Sequence, residues 1–156
     1  MSDEPLYFDE IAPDGEWTSE PRTITTTDVL AFADLTGDRN PVHVDPEFAR
    51  TTPFRRCIAH GMLGLSVVGG LGWKTPFAHT VAFLELREWH FRAPIFPGDA
   101  IRVRSRVREK QLQGRGRRGT VVWDVVALNQ SDRVVQEGVL VTLVETARAG
   151  GAAEAA

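Results

Sequence analysis

The chain has 156 residues, 42% hydrophobic and 25% charged, which is the size and make-up of one ordinary globular domain rather than a disordered or fibrous chain. A formal net charge of −3 argues against a general nucleic-acid binder, and the single cysteine, Cys57, excludes an internal disulfide and fits a reducing compartment. Met1-Ser2-Asp3-Glu4-Pro5 carries neither a basic nor an apolar leader region, so residence in the cytoplasm is expected.

In chain order, Thr23 to Asp28 supplies β-branched residues and then helix-cap candidates. Val29, Leu30, Phe32, Ala33 and Leu35 follow at helical spacing, and Gly37 is placed to close the helix. From Asp38 to Ala59 no long periodic element is evident. Asp45 can cap a short helical turn over 46–50 that opens on Pro46. So long an irregular stretch in a compact domain is usually functional.

Residues 58–73 form an apolar run interrupted by five glycines and His60, too short and too broken for a membrane span. Each glycine costs a helix roughly 0.5–1 kcal/mol relative to alanine, a cost that makes sense where other backbone packs closely around it. The remainder reads as strands over 83–93, 101–108, 120–128 and 133–145, with a turn at Asn129 to Asp132. Strand 101–108 alternates strictly, Ile101, Val103, Ser105 and Val107 against Arg102, Arg104, Arg106 and Arg108. Those arginines read as a solvated edge or outer face. The whole is an α+β chain: a single domain over 1–146 and an unstructured tail over 147–156.

The chemistry concentrates in two places. Asp38 and His43 stand five residues apart across an Asn40-Pro41 turn, and His60-Gly61 opens the glycine-laden helix. A carboxylate, an imidazole and an outward-facing glycine N–H form an acid/base pair with a donor for an enolate oxygen. Singly, Asp38 reads equally well as a turn former and His43 as a surface histidine. Gly114-Arg115-Gly116-Arg117-Arg118-Gly119 matches the dinucleotide-loop pattern literally, but strands flank it on both sides, so a hairpin loop is expected. His79 and His90 have no partners at ligand spacing, no Gly-x-Ser-x-Gly elbow is present, and Cys57 reads as a buried inert thiol.

The run Gly37-Asp38-x-Asn40-Pro41-x-His43-x-Asp45-Pro46-x-x-Ala49 closely resembles the MaoC-like family of (R)-specific enoyl-CoA hydratases and dehydratases. Ala59-His60-Gly61-Met62 and Phe91-x-Ala93-Pro94-x-x-x-Gly98-Asp99 resemble later segments of the same family, so the likeness spans about Thr23 to Glu145. The resemblance implies the hot-dog fold, an antiparallel β-sheet wrapped around a long central α-helix, commonly paired as a homodimer.

It further implies an enzyme, a hydro-lyase that adds water to trans-2-enoyl-CoA or enoyl-carrier-protein thioesters, with no metal or redox cofactor, no nucleic acid and no membrane. Asp38 and His43 would activate the water and deliver the proton, and the N–H of Gly61 would hold the thioester oxygen. Asn40, His60, Ser66 and Gly69 are the expected substrate-side residues, Asn40 chiefly shaping the loop. Gly69 stands where the family has a pocket serine, which Ser66 or water would replace. A hot-dog acyl-CoA thioesterase and a non-catalytic acyl-thioester-binding subunit of a hetero-oligomer are the rival readings.

Overall fold

The computed structural model describes residues 4–147. Helix α1 spans Thr26–Thr36 and begins with a capping box. The Thr25 hydroxyl accepts the Asp28 N–H while the Asp28 carboxylate accepts the Thr25 N–H at 2.8 Å. Gly37, at φ 78°, ends the helix and returns its N–H to Ala33. Two short helices follow, α2 (Pro41–Val44) and α3 (Pro46–Thr51), each starting on a proline behind a capping side chain. The cap of α3 by Asp45 was expected, whereas α2 was expected only as a turn. Pro41 supplies both, because its fixed φ suits a turn and a first helical position equally.

The long helix α4 spans Gly61–Trp73 and lies across the sheet. Six antiparallel strands build that sheet: β1 (Glu16–Thr18), β2 (Arg22–Thr23), β3 (Thr80–Phe91), β4 (Ala100–Gln113), β5 (Arg118–Leu128) and β6 (Val134–Glu145). Their order is β1-β4-β5-β6-β3, with β2 also on β4. Strand β3 starts three residues before the expected strand. Strands β1 and β2, three and two residues long, are too short to show periodicity.

The inner face of the sheet carries Val103, Val107, Val121, Trp123 and Val125, packed with Leu63, Val67 and Val68 of α4 in one apolar cluster. The alternation on β4 holds, with its arginines outside; Arg102 pairs with Asp132 and Arg108 with Asp124. This is the outer face of an interior strand, not an edge. The Gly114 to Arg117 segment is a hairpin turn with Gly114 and Gly116 at positive φ, as the flanking strands imply.

The expectation that close backbone packing explains the helix glycines needs correcting. At Gly64 the close neighbour is a side chain rather than backbone: a Cβ there would stand 2.2 Å from the Gln136 amide nitrogen. The expectation fails outright at Gly69, Gly70 and Gly72, which have nothing within 4 Å of that position. The sheet wraps only one side of α4 and leaves the side bearing Met62, Ser66, Gly69 and Trp73 exposed. Among the described residues no helix is long and apolar enough to cross a membrane. From 148 onward the expected tail lies outside the described residues.

The capping box makes a pH-dependent prediction. The Thr25 N–H above all holds the Asp28 carboxyl below its ordinary range, opposed by burial and helped by the Thr25 hydroxyl and Arg22. A carboxyl depressed in the folded state stabilises the protein above its unfolded pKa, and that contribution is lost as pH falls through the folded value. Asp28→Ala should therefore lower the urea midpoint at neutral pH, and the gap from wild type should shrink on acidification. A gap independent of pH would show that the carboxylate does not act as a cap.

Candidate active site

The turn at Gly37 delivers Asp38 to an exposed position where its N–H donates to Thr36 Oγ1 and its Oδ1 accepts the Asn40 N–H, both at 3.3 Å. The Asn40 side chain turns the other way and caps α2 by accepting the Val42 N–H at 3.1 Å. One helical turn then places His43 over the segment leading into α4. Its Nδ1 lies 2.8 Å from the Ile58 carbonyl, and Ile58 N–H returns a bond to Val42. A carbonyl only accepts, so Nδ1 carries a proton, which leaves Nε2 as the ring nitrogen that can give or take one.

His60 completes the cluster from the other side. Its Nε2 donates to the Asp38 carbonyl at 2.8 Å, and its ring stacks on His43 with centroids 3.9 Å apart and planes 28° apart. Phe32 of α1 closes over it at 5.0 Å. One polar atom each of Asp38, His43 and His60 lie within 4.8 Å of one another, a spacing a cation could use. The stacked rings, however, hold their lone pairs in two separate, roughly parallel planes, and each ring already spends one nitrogen on a carbonyl. The arrangement suits proton transfer better than ligation.

Gly61 opens α4 immediately after His60, which makes no side-chain cap bond to the helix. The first-turn N–H groups therefore lack a side-chain acceptor, and the helix dipole favours negative charge there. A cavity of about 330 Å³ opens at this helix end, walled by Phe54, Gly61, Phe91, Arg92, Pro94 and Gln136. Gln136 is the residue that sequence reading missed. It is 2% exposed, donates to the Gly61 carbonyl at 3.0 Å and accepts from Trp89 at 3.2 Å. A glutamine on an otherwise apolar face of β6 was the available signal.

The structure thus gathers Asp38, His43, His60 and Gly61, but not all of the expected set. The Asn40 amide oxygen is engaged by the loop itself. Ser66 is exposed and bonds back to the Met62 carbonyl at 2.8 Å, as a helical serine does without any substrate. Gly69, about 12 Å along the helix from Gly61, lines a second cavity of about 190 Å³ with Gly72, Trp73, Phe83, Trp123 and Leu140. Burial, and then the Asp45 carboxylate, push the half-buried Cys57 thiol up, away from the nucleophilic thiolate.

A family model described as "MaoC like domain" matches residues 11–128. Among curated relatives, a 3-hydroxybutyryl-CoA dehydratase of Methylorubrum extorquens is 36% identical over 105 residues, covering 67% of this chain and 65% of that protein. An (R)-specific enoyl-CoA hydratase of Rhodospirillum rubrum is 35% identical over 96 residues, 61% of this chain and 65% of that protein. The match thus spans just under two thirds of each relative's length. Among solved structures, a monoamine oxidase regulatory protein from Archaeoglobus fulgius superposes with a TM-score of 0.83 at 33% identity, covering 94% of this chain and 98% of that one.

Proposed function

The chain belongs to the MaoC-like family and has the hot-dog fold, and from that premise we propose that it reversibly hydrates trans-2-enoyl thioesters, carried on CoA or a carrier protein, to (R)-3-hydroxyacyl thioesters. The observation that carries the reading is the meeting of the Asp38 carboxylate and the His43 imidazole beside the uncapped first turn of α4. In this reading Asp38 and Nε2 of His43 hold one water. Its oxygen bonds to the β-carbon as the pair takes its proton, and a proton passes to the α-carbon. The thioester oxygen gains enolate charge in between, and in this reading the Gly61 N–H donates a hydrogen bond to it. The lone Cys57 and the site chemistry support work in the cytoplasm without a metal or redox cofactor, by one domain over 1–146.

Incubation with short and medium trans-2-enoyl-CoA should remove the conjugated double bond and leave (R)-3-hydroxyacyl-CoA. Exclusive (S) product, release of free thiol, or no reaction would overturn the reading. Asp38→Asn and His43→Ala should each lower kcat by about 10²–10⁴-fold in folded protein. Because both act on one water, the double variant should fall far short of the product of the two losses. Wild-type turnover in either single variant would move the site elsewhere.

Gly69 sets chain length in the same reading. A side chain there meets open space within this chain, and the glycine lines the second cavity. Gly69→Leu should cut turnover of long or branched enoyl-CoA roughly 10–200-fold more than that of a four-carbon substrate. Equal loss on all substrates would make Gly69 a packing residue.

The working form we propose is a symmetric homodimer. Among the described residues strand β3 is bonded to β6 on one side only, and it exposes Val81, Phe83, Leu84, Leu86 and Phe91 beside the open face of α4. An unpaired apolar edge of this length invites antiparallel pairing with its twin. Sedimentation should give a dimer at micromolar concentration and a monomer for Leu84→Lys. A wild-type monomer would contradict this.

A further inference from the structure

We propose that His60 is a positioning residue that clips the Asp38 backbone to the entrance of α4 and serves as a fixed, neutral platform for His43. It sits beneath the reacting groups rather than against the substrate. Three observations carry this. The ring is 2% exposed, so only a small edge of it borders the cavity that it lines beside Gly61. Its Nε2 faces the Asp38 carbonyl at 2.8 Å, which fixes the proton on Nε2. Its Nδ1 is buried without a hydrogen-bond partner among the described residues.

The last two together fix the charge state. A second proton would place an unpaired donor and a buried charge where no acceptor stands, a costly combination. His60 therefore stays neutral with a bare Nδ1. Its face is then available to His43, whose own ring is tethered from the far side by Ile58. When His43 takes a proton during turnover, its cation rests on a neutral aromatic face rather than beside a like charge. The clip also fixes the register of residues 38–43 against 58–60, so the Asp38 carboxylate and His43 Nε2 keep their separation before substrate arrives.

A glycine, serine or alanine at position 60 would leave the Asp38 carbonyl free and the His43 ring unsupported. Two variants separate these duties from plain packing. His60→Phe keeps an aromatic face of similar size but has no donor. His60→Gln keeps an N–H donor at similar reach and loses the face.

The kinetic half of the test rests on the hydratase reading; the spectroscopic half does not. In the wild-type protein near neutral pH, ¹⁵N-histidine spectra, assigned by the signal missing from His60→Phe or His60→Gln, should show His60 protonated at Nε2 and bare at Nδ1. With enoyl-CoA as substrate, His60→Phe should lose about 10²-fold in kcat with KM within about threefold of wild type, the scale of a small misplacement of reacting groups. His60→Gln should recover about tenfold of that loss. A proton on Nδ1, wild-type kcat in His60→Phe, or equal losses in the two variants would overturn the proposal. If a variant fails to fold, the tautomer in the wild type, assigned from the variant that folds or by sequential assignment, decides it alone.

Discussion

The carboxamide of Gln136, buried between the sheet and the first turn of α4, fixes where the helix meets the strands. It accepts the Trp89 indole N–H and donates to the Gly61 carbonyl, so its two ends tie strand β3 and helix α4 to β6. A bond of this kind contributes only about 0.5–1.5 kcal/mol net, but leaving either buried partner unmatched costs about 1–3 kcal/mol. Glycine at position 64 makes room for it, since any Cβ there would collide with the amide nitrogen. Alongside, Ala59 N–H bonds to the Ile95 carbonyl at 2.8 Å and anchors the strand-like approach to the helix. Positions 59 to 61 are thus held by β6 and by the loop between β3 and β4, and the candidate site is hung on them.

From that anchor the loop is attached through backbone carbonyls rather than through paired charges. Ile58 accepts from His43, Asp38 accepts from His60, and Asn40 and Asp45 cap the two short helices between them. Neutral bonds of this type hold two imidazoles in defined orientations without committing the Asp38 carboxylate to a cation. The carboxylate stays exposed, His43 half-buried and His60 buried, so one short path runs from solvent to a dry platform. The helix end beside the pair carries N–H groups with no side-chain cap, which favour negative charge.

The fold was legible where local chemistry is strong. Thr25, Asp28 and Gly37 bound α1 because caps are sequence-local, and β4 showed its face through alternation. Strands β1 and β2 were invisible because their pairing with β4 is long-range and spans only three and two residue pairs. The catalytic candidates Asp38, His43 and Gly61 stood out as residue types at a telling spacing. What sequence did not reveal is how they meet: that His60 is a buried prop, that Ser66 is satisfied by its own helix, and that Gly69 faces a different cavity. Spacing along a chain says nothing of which side chain a carbonyl twenty residues away will hold, and Gln136, seventy-five residues from Gly61, lies wholly beyond local pattern.

In the proposed reaction one acid/base pair, on one side of the substrate, handles both the water and the proton. The separation of at most 4.8 Å between Asp38 and His43 leaves no room for delivery from opposite faces. Hydration of trans-2-butenoyl-CoA in deuterium oxide tests this directly, with the relative configuration at the two new centres read by proton NMR. A single diastereomer from syn addition is the predicted product. Anti addition, or a mixture formed under single-turnover conditions, would contradict the account.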